Sequence, residues 1–217
     1  MSRKVVRLTL DHLDALEAPC RTCLFWELDP VRRARIHDDA TAVAEKDAWV
    51  SQVLREWGSC GRVVLVDGAP VGYLIYAPAA YVPGAAAFPT APVSPDAVLL
   101  TTAYVVPEHA HGGLGRMLVQ GMARDLIQRG GIRAVEAFGD SRDTGRCVVA
   151  SDFLGGVGFK THRPHPVHPR MRMELRSALT WRDELEVALD RLLGAVRPAP
   201  KTPNPARRSA KAPRRAG

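Results

Sequence analysis

Nowhere in this 217-residue chain do 18 apolar residues run uninterrupted, and no N-terminal stretch has signal-peptide character. Neither a transmembrane helix nor export is expected, and a cytoplasmic protein is. Cysteine is scarce, with four in all, which excludes a scaffold stapled by disulfides. Cys20 and Cys23 form a Cys-x-x-Cys pair, half of a zinc site, but no second close pair accompanies it. Cysteines three apart near a helix also face a core together, and no metal is expected. Acidic and aromatic residues are both missing from residues 197–217, which hold seven of the chain's 30 Lys and Arg. The rest of the chain is thus neutral, and this tail carries the whole formal charge of +7. A basic, proline-rich segment cannot bury enough apolar surface to order itself. It is expected to be a disordered, solvated tail, limited to weak, non-specific attraction to nucleic acid.

The remainder has an ordinary soluble composition, the whole chain being 46% hydrophobic and 24% charged. The length suits one domain with appendages: residues 1–176 as the domain, 177–196 as a C-terminal helical appendage and 197–217 as the tail. Residues 97–106 (AVLLTTAYVV) read as a fully buried central strand, ended by Pro107. A glycine-rich turn follows, and then Met117, Leu118, Met122, Leu126 and Ile127 recur at helical spacing up to Gly130-Gly131. Glycines in such a turn let backbone N–H groups converge at the helix N-terminus, where the unpaired amides and the dipole attract an anion such as a diphosphate. The spacing is not that of a dinucleotide turn, since Leu118 stands where a third glycine is needed, and no Gly-Lys-Ser/Thr follows.

Elsewhere, residues 5–10 read as a first strand, with Asp11 capping a helix that contains Leu13 and Leu16. Residues 20–28 form an aromatic cluster holding one carboxylate, Glu27, and residues 31–39 read as a polar connector. Trp49, Val50, Val53, Leu54 and Trp57 give an amphipathic helix over residues 44–57, stopped by Gly58. Residues 62–66 and 71–77 flank a hairpin turn. The proline-rich residues 78–96 are expected to pack as a lid over a cleft. Further strands are read at residues 134–138 and 171–175, with a short helix over 147–154. His162, His165 and His168 would align on one edge of a polyproline-like segment, a spacing that suits a metal, although a surface strand connection beside a cleft is preferred. Thr180 and Asp183 cap a last helix whose apolar stripe can pack on the body or on a second copy of the chain, as a homodimer.

Val105, Pro107, Gly113 and Gly115, with Arg116 opening the helix, resemble the central motif of the GNAT superfamily of acyl-CoA N-acyltransferases. Ala110 replaces its Arg/Gln and His111 its following glycine. Downstream, Ala150, Phe153, Gly158 and Phe159 match the superfamily's Asn-x-x-Ala-x-x-Phe-Tyr and Gly-Phe pattern, with Cys147 at the asparagine and Leu154 at the tyrosine that often acts as general acid. The resemblance implies an α/β fold, a GNAT-like mixed β-sheet flanked by helices on both faces. It implies acetyl-CoA or another acyl-CoA as co-substrate and direct transfer to a small-molecule or protein amine. The backbone of Tyr104, Val105 and Val106 would orient the pantetheine. The loop from His111 through Gly112, Gly113, Leu114 and Gly115 to Arg116 would hold the diphosphate, with Cys147 touching the cofactor. Glu27, among apolar neighbours that would raise its pKa, is the expected base, and Tyr104 a replacement acid. Glu136 is a further candidate. A CoA-binding regulatory or interaction protein without turnover is the alternative.

Overall fold

Nine consecutive residues, Ala97–Val105, form β4, around which the other strands are laid. The computed structural model describes residues 1–16, 19–142 and 147–176, so the C-terminal helix and basic tail read from the sequence lie outside the described residues. Before β4 come β1 (Arg3–Arg7), β2 (Gly61–Val66) and β3 (Ala69–Ala77), and after it β5 (Ala134–Asp140), the two-residue β6 (Val149–Ala150), β7 (Lys160–Arg163) and β8 (Arg170–Glu174). They make one mixed sheet in the order β1-β2-β3-β4-β5-β8-β7, with β6 paired to β5 off that path. Only β4–β5 and β5–β6 are parallel.

Helices cover both faces. Along β3, Leu74 and Tyr76 belong to one buried cluster and Tyr73, Ile75 and Ala77 to the other, which is the two-residue alternation of a strand buried on both sides. The first cluster takes Leu118, Met122 and Leu126 of α4 (Leu114–Arg129), each burial worth about 2 kcal/mol. The second takes Leu13 of α1 (Leu10–Ala15) and Trp49, Val50 and Val53 of α3 (Asp39–Trp57). The four-residue α2 (Pro30–Arg33) and α5 (Ser151–Gly156) complete the described helices.

Several elements depart from the sequence reading. Thr9 rather than Asp11 is the N-cap of α1, and its amide donates to His12 Nδ1 at 3.2 Å. The polar connector contains α2, because Asp29 accepts from the amides of Val31 and Arg32 and Pro30 supplies a helical first residue. α3 begins at Asp39 instead of residue 44, since Asp38 caps it by accepting from Thr41 N at 2.8 Å. Residues 149–150 pair with the end of β5 before the helix starts, so α5 begins at Ser151. The proline-rich loop packs through Val82, Ala85 and Phe88 onto the second cluster. His162, on the exposed strand β7, is not aligned with His165 and His168, whose rings stack 6.4 Å apart. His165 Nδ1 accepts from the amides of Val167 and His168.

Candidate active site

A bulge shapes the middle of β4. Ile75 faces Thr102 and Tyr76 faces Leu100, so Thr101 is the extra residue, and its hydroxyl donates to the Ile75 carbonyl at 3.2 Å. Pairing with β5 covers only Ala97 to Leu99 and stops just before the bulge. An extra residue bends and further twists its strand, and here it carries the second half of β4 away from β5. Beside this second half of β4 lies a cavity of about 590 Å³. Ala103, Tyr104 and Val105 form one wall, Val148, Val149 and Ala150 the facing one, and the glycine-rich loop the mouth.

That loop turns twice through left-handed backbone, at His111 (φ 61°) and at Gly113 (φ 79°). Gly113 is the N-cap of α4 and offers no side-chain acceptor, and the first hydrogen bond of the helix runs from Met117 N to Gly113 O. The amides of Leu114 and Gly115, in the first turn, are therefore without an intrahelical acceptor beside the cavity, and the helix dipole adds its positive end. Gly115 has a packing role. A Cβ there would stand 2.6 Å from Phe153 Cε2, so the ring of Phe153 lies directly against the loop backbone. Two long-range bonds brace the loop, Arg3 Nη1 to Gly112 O at 2.9 Å and Arg116 Nη2 to Gly156 O at 2.8 Å.

Tyr104, Val105, His111, Gly113, Leu114, Gly115 and Arg116 line this cavity; Val106, Gly112 and Cys147 do not. The Val106 amide is spent on Val71 O at 2.9 Å. The ring of Tyr104 belongs to the opposite face, 6.0 Å from that of Tyr73, because the bulge resets the alternation of β4. Leu154 is wholly buried in the core. Ala150 in the facing wall is one of the motif matches, whereas Arg3, Val148 and Val149 carried no sequence signal of a place here, since that place depends on long-range pairing.

A second cavity, of about 890 Å³, lies on the other face, where Phe25, Phe88, Arg33, Arg142, His37 and His168 are among the lining residues. Val148 lines both cavities. His168 Nδ1 is 3.3 Å from Gly139 O, so in the neutral ring that contact holds the proton on Nδ1 and leaves Nε2 as the acceptor. Cys147, the residue before Val148 and expected from the resemblance to touch the cofactor, lines this second cavity together with Cys23 and not the first.

Glu27 lines neither cavity. Its apolar surroundings include a lysine: Lys46 Nζ donates to Glu27 Oε1 at 2.5 Å, with both side chains almost fully buried. Oε2 has no partner among the described residues. To the apolar neighbours read from the sequence the structure adds a buried cation, so Glu27 is one half of an ion pair. Glu136 is also buried and outside the cavities, held by Arg172 at 3.0 Å, Arg170 at 3.4 Å and the Ser94 amide at 3.1 Å. Burial opposes its ionisation, but the Ser94 and Arg172 bonds outweigh it and hold the carboxyl below its usual range.

The class the fold defines is a mixed α/β sheet with a cavity beside the glycine-rich N-terminus of a helix, an arrangement suited to an anionic ligand, and a second cavity on the other face. The Acetyltransferase (GNAT) family matches residues 15–147, more than half of the chain, and the chain belongs to that family. Its co-substrate is accordingly an acyl-CoA. Similar solved structures include the PaiA N-acetyltransferase from Thermoplasma acidophilum in complex with coenzyme A (14% identity, 80% of this chain and 99% of that one, TM-score 0.51). An N-acetyltransferase from Staphylococcus aureus Mu50 (14% identity, 81% and 99%, TM-score 0.53) has a similar fold. So does an acetyltransferase of 16% identity (79% and 99%, TM-score 0.56). At these identities the likeness is one of fold. A search of the curated proteins finds no match. No helix among the described residues is long and apolar enough to cross a membrane.

Proposed function

We propose that the protein transfers an acetyl or other acyl group from acyl-CoA to an amine by direct attack, with CoA in the first cavity and the acceptor in the second. The observation that carries this reading is that Val148 lines both cavities, each on its own face of the sheet. The loop amides at residues 113–115 would bind the diphosphate and the β4 backbone at Tyr104 and Val105 the pantetheine. The amine nitrogen forms its bond to the thioester carbonyl carbon, the carbon–sulfur bond breaks, and CoA leaves as the thiolate. Nε2 of His168 takes the ammonium proton on the acceptor side, in place of Glu27.

Calorimetric titration of the chain with acetyl-CoA, CoA and NADH tests the cofactor half. Saturable binding of both CoA forms, and its loss in Gly113→Glu, where a carboxylate meets the phosphates, is the expected result. Absence of CoA binding in any form would sink the reading. Leu154 has no proton to give where the family often has a tyrosine, and this favours a second reading, CoA binding without turnover. Free thiol released when candidate amines are added separates the two, and His168→Gln should then lower kcat while leaving CoA affinity unchanged.

A further inference from the structure

Three of the four cysteines lie near one another, and two of them, Cys23 and Cys147, line the second cavity. The thiols of Cys20 and Cys23 are both within hydrogen-bonding reach of Cys147, and the hydroxyl of Tyr73 on β3 reaches Cys20. Trp26 Nε1 donates to the Cys147 carbonyl at 2.7 Å, so this meeting of segments 121 residues apart is fastened by a backbone contact. Cys23 and Cys147 both line the cavity and are reached through it, whereas Cys60 is fully buried.

We infer that Cys23 and Cys147 are a reactive dithiol that reduces low-molecular-weight disulfides and in doing so closes a covalent bridge across the wall of the second cavity. The thiolate of Cys23 attacks one sulfur of the small disulfide; that S–S bond breaks, and the first small thiol leaves, taking a proton from solvent. Cys147 then gives its proton to solvent and attacks the Cys23 sulfur of the mixed disulfide, releasing the second small thiol. Two electrons pass from the two protein thiols to the small disulfide, which becomes two thiols.

The surroundings assign the roles. A hydrogen bond from Cys147 and another from the backbone at Phe25, with the charge of Lys46 on α3 adding to them, outweigh burial and the nearby Glu27 carboxylate, and lower the Cys23 thiol to about 6. Cys20 is lowered as well, chiefly by the same Cys147 bond, but it lines neither cavity. Cys147 keeps its proton because it donates to Cys20 and Cys23, and their charge pushes it up. Once Cys23 is in a mixed disulfide its charge is gone, and one of the causes holding the Cys147 proton goes with it. The nucleophile thus acts first and its partner is released to act second.

The experiment incubates the fully reduced chain with glutathione disulfide and follows it by intact mass and peptide mapping. The expected product is a Cys23–Cys147 disulfide, with Cys60 untouched because burial pushes its thiol up to about 12. Cys147→Ser should stall at glutathione on Cys23, and Cys23→Ser should form no bridge. A Cys20–Cys23 bridge, or Cys60 reacting as fast as Cys23, would overturn the assignment. So would thiols that react only after a bound metal ion is removed. Should a variant fail to fold, iodoacetamide on the wild-type chain decides. Cys23 must be alkylated first, with a midpoint near pH 6 instead of the ordinary 9. These readouts do not depend on acyl transfer.

Discussion

A methyl group at position 115 would arrive 2.6 Å from Phe153 Cε2, inside van der Waals contact. Two effects oppose each other there. Alanine is better than glycine in a helix by about 1 kcal/mol, while overpacking costs about 1–3 kcal/mol. Gly115→Ala should therefore destabilise the wild-type protein and stabilise a Phe153→Leu background. A double-mutant cycle by denaturant unfolding would return a coupling of about 1–2 kcal/mol; additive effects would place the ring elsewhere. Both residues stand out in the sequence as matches to family motifs, yet nothing in their spacing says that they touch. The same holds for Glu27. Its aromatic neighbours are legible in residues 20–28, whereas Lys46 sits on another element, in a helical stretch where a lysine reads as a solvated residue.

At the scale of elements, Thr101 is the residue on which the cleft turns. Removing it would let β4 run without a bulge while keeping Leu100 and Thr102 on their present faces. β4 would then continue pairing with β5 past Leu99, closing the cavity that the bend opens. The Thr101 deletion is expected to keep a native far-ultraviolet circular dichroism spectrum and to lose CoA binding by calorimetry. Retained affinity would mean that the opening has another cause. The strand itself, the hairpin before it and helix α4 were legible, because long apolar runs and 3.6-residue periodicity survive without tertiary context. The bulge was not, since it exists only relative to β3. Nor was β6: two residues have no period. The start of α3 was hidden by its small and polar first turn, although Asp38 was there as a capping signal.

Across the molecule, Arg172 gathers the far side of the sheet. It pairs with Asp96 at 2.9 Å before β4, with Glu136 at 3.0 Å on β5 and with Glu174 at 2.6 Å on its own strand. Arg172→Ala leaves the fully buried Glu136 with one cation, Arg170, and the Ser94 amide, and should cost about 3 kcal/mol. That is roughly 6–12 °C in melting temperature for a chain of this size. The hydrogen bonds from Arg172 also hold the Asp96 carboxyl below its usual range. Carboxylates depressed in the folded state contribute stability that is present above their unfolded pKa of about 4 and lost as pH falls through the folded value. Thermal melts from pH 7 to pH 2 should show the wild-type protein losing stability below about pH 4, and Arg172→Ala losing less over the same interval. Equal slopes would remove these carboxylates from the account of acid unfolding. None of this ladder of charges could be read in advance, because Asp96, Glu136 and Arg172 are brought together by strand order.

The two cavities lie on different faces of the sheet and share one residue, Val148. A ligand in either can therefore arrive and depart without passing the other. Traffic through such a molecule has no enforced queue: under the proposed reaction, either reactant is free to load first and either product to leave first. Initial-rate plots would then intersect, and each product would compete only with the reactant that uses the same door.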